Sequence, residues 1–404
     1  MIKKRILASI SGNVFAQMSN IVIVLVGIPV LLKYWGIEYY GEWLLIFTIP
    51  GYIGMSEIGL GTTASTEMSI LVEGGYRDKA QEILKNAFWL IILFGLFPVI
   101  LLITSNFIFS WYDFLRLSII SKRDFDIVFV ILILYVYLSL FLSLPLGYYR
   151  VEKVYHRERY ISTFFRIFEF ILFLGLVISG YKVIVAALAH IFVRTCLFIF
   201  VIFDLSRSYK HFNINPKNLD FSKIRNLIKP SLSTMVLSLG QNLLTQGTST
   251  IIGINLGAST LVVFNTTRTL LNMTKQLFGI INLSFWAEFS FAFGKNDKFL
   301  LKNLYDRASR INLLLSVLSI IILFFTGSYF ITYWTNGAVK AEPIFFNLYL
   351  VATLVSCVWA TNLTLLSATN MHYQLARKFA LIAVIITICS YYITEYQGLQ
   401  GIAA

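Results

Sequence analysis

Four basic residues of this chain stand inside long apolar stretches: Arg166, Arg194, Arg268 and Lys275. Arg268 and Lys275 are two helical turns apart, so on a helix they share a face. Asn265 and Asn272 fall on the same stripe, whereas Leu270 and Met273 stand opposite. An ionisable group at mid-membrane costs about 2.5–3.5 kcal/mol on insertion scales, so a stripe with two cations needs water or an anion beside it. A guanidinium offers such an anion a bidentate fork. Two structural alternatives stay open. Arg268 pairs with a glutamate on a neighbouring segment, or Lys275 snorkels to the membrane surface.

Other apolar stretches carry neutral polar faces. Asn13, Gln17 and Asn20 recur at helical spacing, as do Ser238, Gln241, Asn242, Thr245 and Thr248 or Ser249. Amides and hydroxyls suit a polyhydroxylated ligand, and they equally suit hydrogen-bonded packing between helices. Arg166 and Glu169, one turn apart, have the spacing of a pair within one helix. His190 and Arg194 share a face that points either to a cavity or to the membrane surface. Glu57 is the carboxylate best placed inside an apolar stretch, and a membrane carboxylate that changes protonation is what ion-coupled transport requires.

The elements that must hold these residues follow from composition. The chain has 404 residues, 57% hydrophobic and 13% charged, with a mean hydropathy of +0.75, so its solvent is lipid. A helix crossing the hydrocarbon needs roughly 20 apolar residues. Such stretches occur near 10–32, 41–63, 87–109, 127–147, 160–179, 183–203, 231–254, 258–282, 309–330, 344–366 and 378–396. This predicts an all-α polytopic membrane protein with eleven spans. The opening Met1-Ile-Lys-Lys-Arg5 and its apolar run lack a small-residue cleavage site, so they read as a retained first span and not as a signal peptide.

A net charge of +13 in a soluble protein would suggest nucleic acid; in this chain it reports orientation. With the N-terminus cytoplasmic, the inner links carry 23 Lys and Arg and the outer links 6, which the positive-inside rule accepts in that sense only. The expected location is a bacterial inner membrane. Cys196, Cys357 and Cys389 sit in apolar runs with no pairing logic. The four scattered histidines make no metal site, and no nucleotide-binding glycine loop occurs, so no cofactor is expected.

The two halves repeat. Tyr34-Trp-Gly36 followed by Trp43 answers to Asn255-Leu-Gly257 followed by Phe264, and Glu67 answers to Glu288 at the same shift of 221 residues. Six spans per repeat place both halves in the same orientation, a parallel repeat that puts a substrate site at the repeat interface. The expected organisation is an N-terminal lobe over 1–205, a basic cytoplasmic link over 206–230, and a C-terminal lobe over 231–404. The same shift carries the start of span six, Ile184-Val-Ala-Ala187, past residue 404. The expectation is therefore a twelve-helix plan with its last helix cut off from this sequence.

Gly36-Ile-Glu-Tyr-Tyr-Gly-Glu-Trp43, Glu57-Ile-Gly-Leu-Gly61 and Tyr76-Arg-Asp78 resemble the first two helices of Wzx-type O-antigen and polysaccharide flippases. These belong to the multidrug/oligosaccharidyl-lipid/polysaccharide (MOP) superfamily. The stretch from Lys229-Pro230 through Gly257 to Thr267-Arg268 resembles their seventh and eighth helices. The resemblance implies two six-helix lobes around a central cavity, working by alternating access. It implies a cargo of undecaprenyl-pyrophosphate-linked oligosaccharide, such as a lipopolysaccharide O-antigen or capsule repeat unit, moved from the inner to the outer leaflet. Under it, Arg268 and Lys275 would meet the pyrophosphate. Asn265, Asn272, Gln241, Asn242, Thr245 and Arg194 would line the cargo path, and Glu57 would couple transport to a proton or sodium. Its partners would be membrane lipid and the glycosyltransferases and polymerase of the pathway, with no nucleic acid.

Three other readings compete. A multidrug transporter of the superfamily would ask for acidic residues toward cationic drugs, against the basic residues found in these spans. A lipid II flippase would usually carry helices beyond the twelve. A membrane polysaccharide polymerase or ligase needs a sizeable outer loop for its catalytic groups, whereas the longest outer link here, 110–126, is short and has no histidine. The expectation is a carrier and not an enzyme.

Overall fold

The computed structural model describes residues 2–53, 59–216, 219–294, 296–369 and 373–403. In hydrocarbon each backbone N–H and C=O must be bonded within the chain, and for apolar runs of this length that leaves helices. The helices are α1 (Ile2–Ile53), α2 (Leu60–Glu73), α3 (Arg77–Ile108), α4 (Trp111–Phe114), α5 (Lys122–Val151), α6 (Tyr155–Ile178) and α7 (Val183–Ser208). They continue as α8 (Arg225–Asn242), α9 (Thr248–Leu256), α10 (Ala258–Gly294), α11 (Lys298–Trp334), α12 (Pro343–Ala368) and α13 (Tyr373–Ala403). A π-helical turn, Leu243–Gly247, joins α8 to α9. Among the described residues, eight helices are long and apolar enough to cross a membrane, and no strand occurs. The predicted spans fall on helices, apart from single turn or bend residues, wherever they are described; residues 54–58 of the second lie outside the described set.

The chain divides into two compact units, Met1–Gln246 and Gly247–Ala404. That division falls inside the predicted seventh span, within the π-helical turn. In the first unit α1 packs on α6, α2 on α3 and α5, α3 on α5, and α7 on α5 and α6. In the second, α9 packs on α13, α10 on α11 and α12, and α11 on α12. The pairings correspond helix for helix, with α9–α13 answering to α1–α6 and α10–α11–α12 to α2–α3–α5.

The backbone repeats as well. Gly36 breaks α1 at φ 76°, ψ 171°, ending the first span and starting the second. Gly257 does the same between α9 and α10, at φ 88°, ψ 166°. Two further pairs of positive-φ residues, Gly75 with Asn296 and Arg116 with Gly337, recur at the same 221-residue shift. The parallel repeat read from a few side chains is thus carried by the turns.

Polar contacts fix the ends of the first unit. Glu42 is buried, and its carboxylate accepts from the backbone N–H groups of Ser118 (2.6 Å), Ile119 (2.8 Å) and Ile120 (2.7 Å), pinning the loop before α5. Ser121 then caps α5 by accepting from the Asp124 N–H. At the other end, Lys153 pairs with Glu73, Arg77 with Glu152 (3.5 Å), and Arg157 with Asp204 (2.5 Å). Tyr209, beyond the end of α7, lies within electrostatic range of Arg157, and burial pushes its phenol above its ordinary range. The basic link lies on α3: the Trp89 indole donates to the Ile214 carbonyl (2.8 Å), and buried Asn86 accepts from the Asp220 N–H (2.8 Å).

Large exposed apolar side chains, such as Phe94 and Phe97 on α3 and Leu381, Ile385 and Ile388 on α13, follow the outer faces of the helices. In water they would be a liability; in lipid they are the solvated surface.

Candidate functional site

On α10 the basic stripe and Met273, which the periodicity sets opposite it, are alike half-buried. Arg268 and Lys275 are half-buried, whereas Leu270 and Leu271 are packed into the second unit. One guanidinium N–H of Arg268 donates to the Asn265 side-chain oxygen at 2.5 Å, so that neighbour positions the fork. The guanidinium lies 5.1 Å from the centre of the Phe264 ring, a cation–π contact. Phe264 in turn stacks on Tyr349 of α12 (5.9 Å, 21°) and sits against Phe345 (6.0 Å). The Tyr349 phenol is within electrostatic range of Arg268, and the Cys357 thiol, two turns further along α12, is within range of Lys275. The two cations therefore run alongside α12, backed by aromatic rings. Among the described residues Lys275 enters no ion pair. Asn272 is half-buried on the same stripe.

The first unit holds a different centre. The Glu169 carboxylate, on α6, accepts from the Tyr135 hydroxyl (3.0 Å), lies 2.6 Å from His190 Nδ1 and pairs with Arg194 at 3.5 Å. Arg194 also donates to the Tyr135 oxygen at 2.5 Å and covers its ring at 4.8 Å. Rings surround His190: Trp43 is stacked on it (5.9 Å, 18°), with Phe47, Phe173 and Tyr135 around the rest. Nε2 of His190 is buried there without a hydrogen-bond partner.

This cluster differs from the pairing expected for span five. Glu169 bonds to α5 and α7 and not to Arg166, one turn away on its own helix. Arg194 is likewise engaged inside the unit, where the sequence reading placed it on the cargo path.

The remaining candidates are dispersed. Gln241 and Asn242 end α8, with Asn242 half-buried and Gln241 exposed. Thr245 sits in the π-helical turn, its hydroxyl turned back on the carbonyls of Gln241 and Asn242 (3.1 Å each). Thr248 and Ser249 are buried in α9. Asn13 accepts from the Tyr155 hydroxyl at 3.5 Å, joining α1 to α6. Glu57 lies outside the described residues.

Sequence reasoning missed one buried polar group in the second unit. Asn312 of α11 donates to the Asn282 oxygen of α10 (2.5 Å) and to the Thr361 hydroxyl of α12 (2.6 Å), fastening three helices. Single amides in separate apolar runs gave no local pattern to find it by.

No family model and no curated protein matches the chain. Solved structures do. A multidrug resistance MATE family transporter of the MOP superfamily, in its inward-facing conformation, is 14% identical with a TM-score of 0.68, covering 96% of this chain and 89% of that one. An outward-facing conformation of such a transporter is 14% identical at TM-score 0.60, covering 99% and 89%. A MOP superfamily transporter from Pyrococcus furiosus, described as having a binding pocket of reverse polarity that suggests a different function, is 12% identical at TM-score 0.60, covering 99% and 88%. The class defined by this likeness and by the repeat is an all-α polytopic membrane protein with the two-lobed MATE-type fold. At such identities the likeness is one of fold.

Proposed function

We propose that this chain is a membrane transporter that works by alternating access between its two repeats. Its cargo on this reading is undecaprenyl-pyrophosphate-linked oligosaccharide, an O-antigen or capsule repeat unit. It would move that cargo from the inner to the outer leaflet of a bacterial inner membrane, with its own N-terminus cytoplasmic. One observation carries the choice of cargo: the half-buried stripe of Asn265, Arg268, Asn272 and Lys275 along α10. Two cations on one face of a membrane helix favour an anionic group, and a pyrophosphate takes both a guanidinium fork and an ammonium. Cationic drugs would be repelled by the same stripe. The Pyrococcus furiosus transporter of similar fold is itself described as having a binding pocket of reverse polarity.

Neutral amides and hydroxyls at Gln241, Asn242 and Thr245 are the groups we assign to sugar contacts. For the driving ion, the described residue with an atom open to a proton is His190 at Nε2, with Glu57 as the carboxylate to test. Glycosyltransferases and a polymerase would supply and consume the cargo.

The test is made in the native host. On deletion of the gene, the lipid-linked oligosaccharide is followed by leaflet, and it accumulates on the cytoplasmic side. Wild-type protein clears it and Arg268→Ala does not. If the intermediate reaches the outer leaflet normally and only its polymerisation fails, the protein is an enzyme of the pathway and the proposal falls.

A further inference from the structure

A second concentration of positive charge lies in the first unit, where α5 ends and α6 begins. Arg150 and Arg159 both place their guanidinium groups over the Tyr155 ring, 5.2 and 4.9 Å from its centre. Arg159 Nε donates to the Tyr155 oxygen (2.5 Å), and that hydroxyl donates to Asn13 on α1 (3.5 Å). Gly12 lets α1 come this close, since a Cβ there would stand 3.1 Å from that of Arg159. Two turns along α6, Arg166 is exposed although it sits on the same stripe as buried Thr163, Glu169, Phe173 and Val177. The protein-facing side of α6 therefore opens at that point.

The charges do not balance. One carboxylate, Glu158, lies within electrostatic range of Arg150, Arg159 and Arg166, with an ion pair to Arg159 at 3.4 Å and a bond from the Ser162 hydroxyl at 3.2 Å. The other basic residues of this link are matched, Lys153 by Glu73 and Arg157 by Asp204. Arg150 and Arg166 enter no ion pair among the described residues. His156 Nδ1 is buried beside them without a hydrogen-bond partner. Three guanidiniums around one carboxylate leave two positive charges, which is the complement of a phosphate dianion. Two guanidiniums held over one ring repel each other unless an anion lies between them.

We propose that Arg150, Arg159 and Arg166, set by Tyr155 and Asn13, form a binding site for a phosphate or pyrophosphate group at the cytoplasmic end of the first unit. The group belongs either to the headgroup of an inner-leaflet lipid or to a soluble phosphate compound. The site is separate from the α10 stripe and does not depend on what that stripe carries.

The experiment uses the purified full chain, with thermal unfolding as the readout. Inorganic pyrophosphate raises the melting temperature of wild type in detergent. Arg150→Gln and Arg166→Gln each weaken its apparent affinity about tenfold, the loss of one charge-assisted contact. Arg123→Gln, an exposed arginine at the start of α5, leaves the response intact. Phosphatidylcholine nanodiscs with and without phosphatidate separate the two sources. Stabilisation by phosphatidate marks a lipid headgroup, and stabilisation by pyrophosphate alone marks a soluble ligand. Arg166 is exposed, so its variant folds even if that of Arg150 does not. If Arg166→Gln responds like wild type, if Arg123→Gln weakens the response as much as Arg166→Gln does, or if neither probe stabilises wild type, the site is refuted. The first two results leave the α10 reading untouched.

Discussion

Gly36 and Gly257, 221 residues apart, hold one backbone conformation, φ 76° with ψ 171° and φ 88° with ψ 166°. A positive φ with an extended ψ is a region that only glycine enters without strain. A Cβ at either position would meet nothing within 4 Å, so the cost of adding one is backbone strain alone. Gly36→Ala and Gly257→Ala should each lose about 1–3 kcal/mol. At the neighbouring pair the repeat itself exchanges Gly75 for Asn296. Gly75→Asn should therefore cost under about 1 kcal/mol. Thermal unfolding in detergent decides, and equal losses at Gly36 and Gly75 would contradict the argument.

Glu42 acts through the loop it holds. Removing its carboxylate leaves three backbone N–H groups at Ser118, Ile119 and Ile120 to find other partners. Bonds to a charged acceptor are worth about 1.5–3 kcal/mol each, less where water replaces them. Glu42→Ala should destabilise the chain by about 2–4 kcal/mol and open residues 115–121 to protease. Glu42→Gln should recover only part, because its NH2 group faces a donor. Undiminished protease resistance in Glu42→Ala would mean the loop is held by other contacts.

These features differ in how far the sequence announced them. The helices and the α10 stripe depend on spacing within one segment and the repeat on one fixed shift between two halves, and spacing of either kind is visible in a sequence. The Glu169 cluster was not legible for the opposite reason. Arg166 offered a partner one turn away, while the actual ones, Tyr135, His190 and Arg194, arrive from two other helices. Asn282, Asn312 and Thr361 meet in the same way, from three helices. Which of several half-polar faces meet is set by packing, and single residues in apolar runs do not encode it locally.

A close approach in the first unit gives a sharper packing test. A Cβ added to Gly147 on α5 would collide with the Ser65 hydroxyl on α2. Gly147→Ala should cost about 1–3 kcal/mol, the usual range for overpacking. Adding Ser65→Ala removes the nearest atom, and the double variant should melt above Gly147→Ala. A double variant that melts lower still would show that the two helices meet elsewhere.

Arg194 and Arg268 are both arginines in apolar spans, yet their replacement should read differently. Arg194 faces the buried Glu169 carboxylate, and removing one partner of a buried pair costs about 3–5 kcal/mol. Arg194→Ala should lose stability to that extent, with transport falling because folded protein is scarce. Arg268→Ala gives up a bond to Asn265 and a contact with Phe264, and should lose translocation in the leaflet assay by far more than its loss of folded protein explains. Arg268→Lys keeps the charge without the fork and should be intermediate. A stable, transport-dead Arg194→Ala would return that residue to the cargo path.

His190 supplies the last test, because its two ring nitrogens have different surroundings. With the ring neutral, Nδ1–H donates to Glu169 and Nε2 is left as a bare acceptor among rings. Glu169 and Arg194 then cancel. A proton taken at Nε2 makes the cluster cationic and sets an imidazolium on the face of Trp43, where the ring quadrupole favours it. A group that changes charge inside a packed membrane unit can bias two arrangements of the helices that share it, here α5, α6 and α7. In proteoliposomes His190→Gln, which can still donate to Glu169, should transport at a rate that no longer follows an imposed proton gradient. Glu57→Gln should keep that dependence if His190 is the coupling group. If His190→Gln still follows the gradient while Glu57→Gln does not, the proton is taken at Glu57 and the cluster around Glu169 is a structural tie.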